Sequence, residues 1–168
     1  RKFELMAWQI YEVGKTWREA DGEVAEAIDF CRYYARHMRQ MSAPQNCSFV
    51  PGEDSVYVYQ PRGVGVVIAP WNFPLAILAG MAVAGIVSGN SVIIKPAEQS
   101  SVIGAVFMDI LKEAGCPTGV AGFLPGYGEE VGEYLVNHHD VDFIVFTGSR
   151  QVGLDIIKNA AITKSGQK

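Results

Sequence analysis

The sequence predicts an α/β fold: an open parallel sheet with helices on both faces, preceded by N-terminal helices. Three observations predict it. Short, largely apolar runs recur at 64–68, 91–95, 120–124 and 142–146. A stretch with helical spacing follows each run, and Gly89 and Gly115 are placed to end two of those helices. The first forty residues contain no such run and carry two helical stripes instead. Strands apolar on both faces are covered on both faces, and a helix between successive strands is the crossover that parallel pairing requires.

In order, Phe3, Met6, Ala7, Ile10 and Val13 fall at helical spacing, and Gly14 offers a stop. Thr16-Trp17-Arg18-Glu19 has capping-box form and starts a second helix, whose apolar stripe reads Val24, Ile28, Cys31, Ala35 and Met38. Residues 42–54 are a connection. Val56-Tyr57-Val58-Tyr59 reads as a strand, turned by Pro61-Arg62-Gly63 into the run 64–68. Pro74 suits a first helical position, and that helix extends to about Ser88. The strand 91–95 leads to a helix at 101–114, the strand 120–124 to a helix at 129–136, and the strand 142–146 to a helix at 150–161. Two units follow from this: 1–54, N-terminal helices and connection, and 55–168, the α/β unit.

With 168 residues, 49% of them hydrophobic and 19% charged, the chain suits one well-packed domain rather than a disordered segment. A net charge of −4 gives no electrostatic reason to expect nucleic acid or an anionic membrane as partner. No apolar run reaches the roughly 18–20 residues of a membrane span, and Gly80 and Gly85 interrupt the nearest candidate, 75–87. No signal-peptide pattern is visible. Arg1 opens in a helical pattern, so both ends read as cuts in a longer protein. Cys31, Cys47 and Cys116 suit a reducing compartment better than a disulfide scaffold.

Polar groups gather where strands end. Asn72 lies in the turn after 64–68, where its amide can support a developing oxyanion or simply cap the helix at Pro74. Lys95 closes its strand and Glu98 follows; a carboxylate and an ammonium there can hold a ribose diol, or form a surface ion pair. Gly126-Tyr127-Gly128-Glu129-Glu130-Val131-Gly132 is close to a dinucleotide fingerprint. Its last gap is one residue too long, and two glutamates sit in the helix's first turn, which suits the helix dipole and not a phosphate. Close backbone approach at Gly128 and Gly132 is expected, without a full pyrophosphate cradle. Phe146-Thr147-Gly148-Ser149 has no acid beside it, so Ser149 and the helix start behind it can take an anion or act as a plain cap. None of the three cysteines has a neighbouring base, cation or helix start to make it a nucleophile. His138-His139-Asp140 reads as a solvated helix end, because adjacent histidines are expected to project apart with no third ligand nearby; no metal is expected.

Pro70-Trp71-Asn72-Phe73-Pro74, Lys95-Pro96-Ala97-Glu98-Gln99 and Phe146-Thr147-Gly148-Ser149, in this order, resemble the aldehyde dehydrogenase superfamily. The resemblance implies a Rossmann-like sheet and NAD as cofactor. It lays that cofactor against Ile68, Ala69, Pro70, Trp71, Lys95, Ala97, Glu98, Gly128, Gly132, Phe146, Thr147, Gly148, Ser149 and Val152. Asn72 becomes the catalytic oxyanion donor. Glu98, which would repel a 2′-phosphate, favours NAD over NADP.

The stretches 14–21 and 24–35, the 95–99 block and the closing Lys164-Ser165-Gly166-Gln167-Lys168 are similar to the Δ1-pyrroline-5-carboxylate dehydrogenases, some of which are halves of bifunctional proline-utilisation proteins. These enzymes oxidise glutamate 5-semialdehyde to glutamate. In that group Glu26 or a neighbour can face the substrate channel beside Phe73; the other reading of Glu26 is an exposed helix charge. The family's cysteine nucleophile and glutamate base belong to motifs absent from this sequence, so the isolated chain is expected to be inactive, with residues 55–168 an incomplete NAD-binding unit. The resemblance further implies a small-molecule aldehyde as substrate, a homo-oligomer when complete, and a cytoplasmic location (the mitochondrial matrix in a eukaryote).

Overall fold

The structure, a computed structural model, describes residues 1–163; the closing 164–168 block lies outside the described residues. Helix α1 (Lys2–Val13) ends at Gly14 in the left-handed conformation, and α2 (Trp17–Met41) starts at the Thr16 capping box. The box is complete. Thr16 Oγ1 accepts from Glu19 N at 3.3 Å, while Glu19 Oε2 accepts from Thr16 N at 2.9 Å. Hydrogen bonds from the Thr16 backbone and side chain hold the Glu19 carboxyl below its ordinary value.

The strands β1 (Val64–Ile68), β2 (Ser91–Lys95), β3 (Ala121–Phe123) and β4 (Phe143–Phe146) form one parallel sheet in the order β3-β2-β1-β4. The crossovers are α3 (Ala76–Val87), α4 (Ser101–Glu113) and α5 (Glu133–Asn137), and α6 (Arg150–Thr163) follows β4. Side chains alternate across the pleat. Val67, Val92 and Ile94 face α3 and α4, in a core that also takes in Leu5, Met6, Ala20, Val24 and Ala27 of the N-terminal helices. Val66 faces the other way, with Leu135 and Val141 behind it and Ile68, Ile93 and Ile144 packed against them. The predicted open parallel sheet with helices on both faces is what the chain forms. Among the described residues no helix is long and apolar enough to cross a membrane.

Three expectations need correction. Val56, Tyr57, Val58 and Tyr59 are exposed and form no strand. The β-favouring side chains there have no neighbouring ladder, and β-propensity expresses fit to a half-buried pleat. The stripe predicted on α2 is also displaced. Val24 is buried, but Ile28, Cys31 and Ala35 are exposed, and the covered face runs through Ala20, Glu23, Val24 and Ala27. The face is set by how α2 crosses α3. Phe30 lies over Gly80, where an added Cβ would stand 2.8 Å from the ring. On α1, Phe3 is likewise exposed, while Leu5, Met6 and Gln9 are buried.

Candidate active site

The sheet order reverses at β1. Its crossover chain leads to β2 and β3 on one side, while β4 joins on the other, so the loops after β1 and β4 part and leave a crevice at the carboxyl ends of the strands. Register makes this concrete. Ile68 pairs with Lys95 on one side and with Phe146 on the other. The backbone continues the alignment: Ala69 N donates to Lys95 O at 3.3 Å and Thr147 N to Ile68 O at 3.2 Å. All three singled-out blocks therefore leave the sheet at the same level.

They surround one cleft of about 790 Å³. Its wall after β1 is Ile68, Ala69, Pro70, Trp71, Asn72 and Phe73; after β2 it is Lys95, Ala97 and Glu98. Opposite stand Gly128, Phe146, Thr147, Gly148, Ser149 and Val152. Gly132 lies just outside, in an adjoining groove of about 420 Å³ that shares Ile68, Lys95, Gly128, Glu129 and Val152 with the cleft.

Lys95 is the buried charge of the site, 3% exposed. Its Nζ donates to Pro96 O at 3.0 Å and stands 4.0 Å from Glu98 Oε2. Burial lowers its pKa from the ordinary value, against the opposing pull of Glu98 and Glu129. Glu98 stays more open, in the short 3₁₀ turn Glu98–Ser100, with Oε1 accepting from Gln99 Nε2 at 3.1 Å. Ser149 caps α6, its Oγ accepting from Val152 N at 3.3 Å. The glycine-rich element takes an unexpected form. Its extra residue is wound into a π-helical turn, Gly128–Gly132, in which Tyr127 O accepts from Glu130 N at 3.3 Å, Val131 N at 3.0 Å and Gly132 N at 3.4 Å. That wide turn sets Gly132 over the Lys95 stem, where a Cβ would meet Cε at 3.6 Å.

A buried ammonium, an adjacent carboxylate, an amide and a capped helix start thus face one crevice. The aldehyde dehydrogenase family pattern matches residues 1–167. The chain belongs to that family. It is 51% identical over 167 residues, 99% of its length, to the 1-pyrroline-5-carboxylate dehydrogenase of Geobacillus kaustophilus, and covers 32% of that protein. Among solved structures it resembles proline utilization A from Bdellovibrio bacteriovorus, with 59% identity and a TM-score of 0.95, covering 99% of this chain and 18% of that one. A 1-pyrroline-5-carboxylate dehydrogenase from Thermus with bound NAD gives 54% identity and a TM-score of 0.95, over all of this chain and 33% of that one. The chain spans about a third of the length of the curated relatives it matches.

Not every residue singled out in the sequence lies in the cleft. Glu26 is exposed on α2 and does not line the cleft. No cysteine lines it either, and desolvation pushes the Cys31 thiol up, away from the thiolate. The histidines do not project apart as expected. The rings of His138 and His139 stack at 4.7 Å, and their nitrogens gather with the Asp140 carboxylate. Asp140 N bonds His138 Nδ1 at 3.2 Å, and the tight turn after α5 is what folds the three together.

Sequence reasoning missed Ile77, Gln99 and Glu129 in the cleft wall. It also missed two glutamates behind that wall. Glu23 on α2 accepts from Leu75 N and Ala76 N at the start of α3, and Glu12 on α1 accepts from Val102 N and Ile103 N at the start of α4. No local signal in the sequence marked either residue; in the structure neither helix carries a side-chain cap of its own.

Proposed function

We propose that residues 55–168 are the NAD-binding part of an aldehyde dehydrogenase that oxidises glutamate 5-semialdehyde, the open form of Δ1-pyrroline-5-carboxylate, to glutamate. The observation that carries this reading is the meeting of Asn72, Lys95, Glu98 and Ser149 in one cleft. The relatives named for that substrate, at about half identity over the whole chain, support the choice of aldehyde.

The donor set fits a dinucleotide. Lys95 and Glu98 offer a donor and an acceptor to a ribose diol, and the carboxylate disfavours a 2′-phosphate there. Ser149 and the first-turn N–H groups of α6 suit the pyrophosphate. When bound, NAD⁺ supplies the hydride acceptor. Asn72 would donate its side-chain N–H to the oxyanion created when a nucleophile adds to the aldehyde, with Phe73 beside it against the substrate. Glu26 would reach substrate only from outside this cleft. The nucleophile and the base that activates water would come from polypeptide beyond these residues, since the three thiols lie away from the cleft. The three unpaired thiols suit a cytoplasmic protein, or one of the mitochondrial matrix in a eukaryote. The exposed, unpaired 56–59 segment suits pairing with a second copy in a homo-oligomer.

Two experiments test the reading. Calorimetric titration of the chain should show saturable NAD⁺ binding, weaker NADP⁺ binding, and a smaller difference in Glu98→Gln. The chain alone should form no NADH. The complete polypeptide carrying it should oxidise glutamate semialdehyde with kcat/KM at least about 10-fold above that for simple aliphatic aldehydes, the margin a few pocket contacts provide. Equal efficiency on all aldehydes would overturn the substrate assignment.

A further inference from the structure

The turn carrying Asn72 and Phe73 is held from behind. Helix α3, which it enters, receives its first acceptor from α2: Glu23 Oε1 takes Leu75 N–H at 2.7 Å and Ala76 N–H at 2.9 Å. The second oxygen of Glu23 stands 2.7 Å from Lys15 Nζ. The Glu23 side chain is 1% exposed and that of Lys15 11%. The same ammonium lies 4.3 Å from the centroid of the Phe73 ring. Lys15 is itself fixed between the left-handed Gly14 that ends α1 and the Thr16 box that starts α2.

A carboxylate this buried is tolerated only when hydrogen-bonded or paired. Here two amides hydrogen-bond Oε1, and Oε2, which accepts no hydrogen bond among the described residues, is held by charge pairing with the Lys15 ammonium. The ion pair grips the turn at two points, the backbone just after Phe73 and the face of its ring. Neither Lys15 nor Glu23 lines the cleft. A rigid helix thus fixes a loop amide that works only if its N–H points where charge develops.

We propose that Lys15 and Glu23 are positioning residues for the oxidation. They set the orientation of the Asn72 amide and the Phe73 ring without touching substrate or cofactor. The inference rests on the reading of Asn72 as oxyanion donor.

The test uses the complete polypeptide, comparing Glu23→Ala, Glu23→Gln, Lys15→Met, Asn72→Ala and the Glu23→Ala/Asn72→Ala double variant. Glu23→Ala should lower kcat by about 10- to 100-fold, the cost of a misplacement on the order of 1 Å. Its Kd for NAD⁺ should stay within about twofold, because the β2 and β4 walls, which hold the ribose diol and the pyrophosphate in the proposed reading, are untouched. Glu23→Gln keeps an acceptor for both amides but loses the charge pair with Lys15, and should recover part of the loss. In the Asn72→Ala background, Glu23→Ala should cost little more, since both act through one amide. If Glu23→Ala does not fold, Lys15→Met carries the test, with the same fall in kcat at unchanged NAD⁺ affinity.

Three results would overturn the proposal: wild-type kcat in both Glu23→Ala and Lys15→Met while Asn72→Ala is impaired, equal losses for Glu23→Ala in both backgrounds, or NAD⁺ affinity falling in step with kcat. An unimpaired Asn72→Ala enzyme is a different result, which removes the oxyanion reading itself.

Discussion

On the proposed cofactor site, Lys95 ties binding and folding to pH in opposite directions. Burial lowers its pKa from 10.5, more than Glu98 and Glu129 restore it. The folded state therefore loses this proton more readily than the unfolded state. The resulting stabilisation is fully present above 10.5, the unfolded value, and disappears as pH falls through the folded value. A ribose diol needs the opposite state, because a neutral amine is a poorer donor than an ammonium. As pH rises toward 10.5, NAD⁺ affinity of the chain should fall while the Lys95 contribution to stability grows. Paired NAD⁺ titrations and urea midpoints across that range, each compared with Lys95→Met, check both signs. Affinity in the native chain that tracks the Met variant at every pH would remove Lys95 from the cofactor site.

The first turns of α3 and α4 are completed by carboxylates from α2 and α1. Glu12 gives both oxygens to α4, 2.7 Å from Val102 N and 2.7 Å from Ile103 N. Glu12→Ala removes this cap and should cost about 0.5–2 kcal/mol. A lower urea midpoint at unchanged slope is the expected reading; no shift would mean that water replaces the cap. These contacts also mark where the sequence was legible. The four sheet strands, the crossovers and the three cleft blocks follow from local signals: apolar runs, glycine stops, and polar residues just past a strand end. Glu12 and Glu23 carry no local signal, since their partners lie 90 and 91, and 52 and 53, residues away. The buried face of α2 was misread for a related reason. The helix period defines a stripe, but the partner helix decides which side of that stripe is covered. The wide turn at Gly128–Gly132 stands between these cases, because the extra residue was visible and its winding was not.

At the scale of the whole molecule, both walls of the cleft hang on β1, but they are joined to it over very different lengths of chain. Gly63 N reaches Asn90 Oδ1 across 27 residues, at the start of the β1–β2 pair. Val64 N reaches Asp142 Oδ2 across 78, at the start of the β1–β4 pair. Closing the longer loop costs more entropy before any contact repays it. The half-site with Asn72, Lys95 and Glu98 is thus able to assemble before the half with Thr147 and Ser149 arrives. A ligand spanning both halves acts chiefly on the late-closing strand. Amide exchange at β4 should slow with NAD⁺ while β1 and β2 change little, and uniform slowing across the sheet would show that all four strands open as one unit. On the proposed NAD⁺ site, the reversal of strand order that creates the crevice would thereby also make the ligand a fastener for the strand joined over the longest loop.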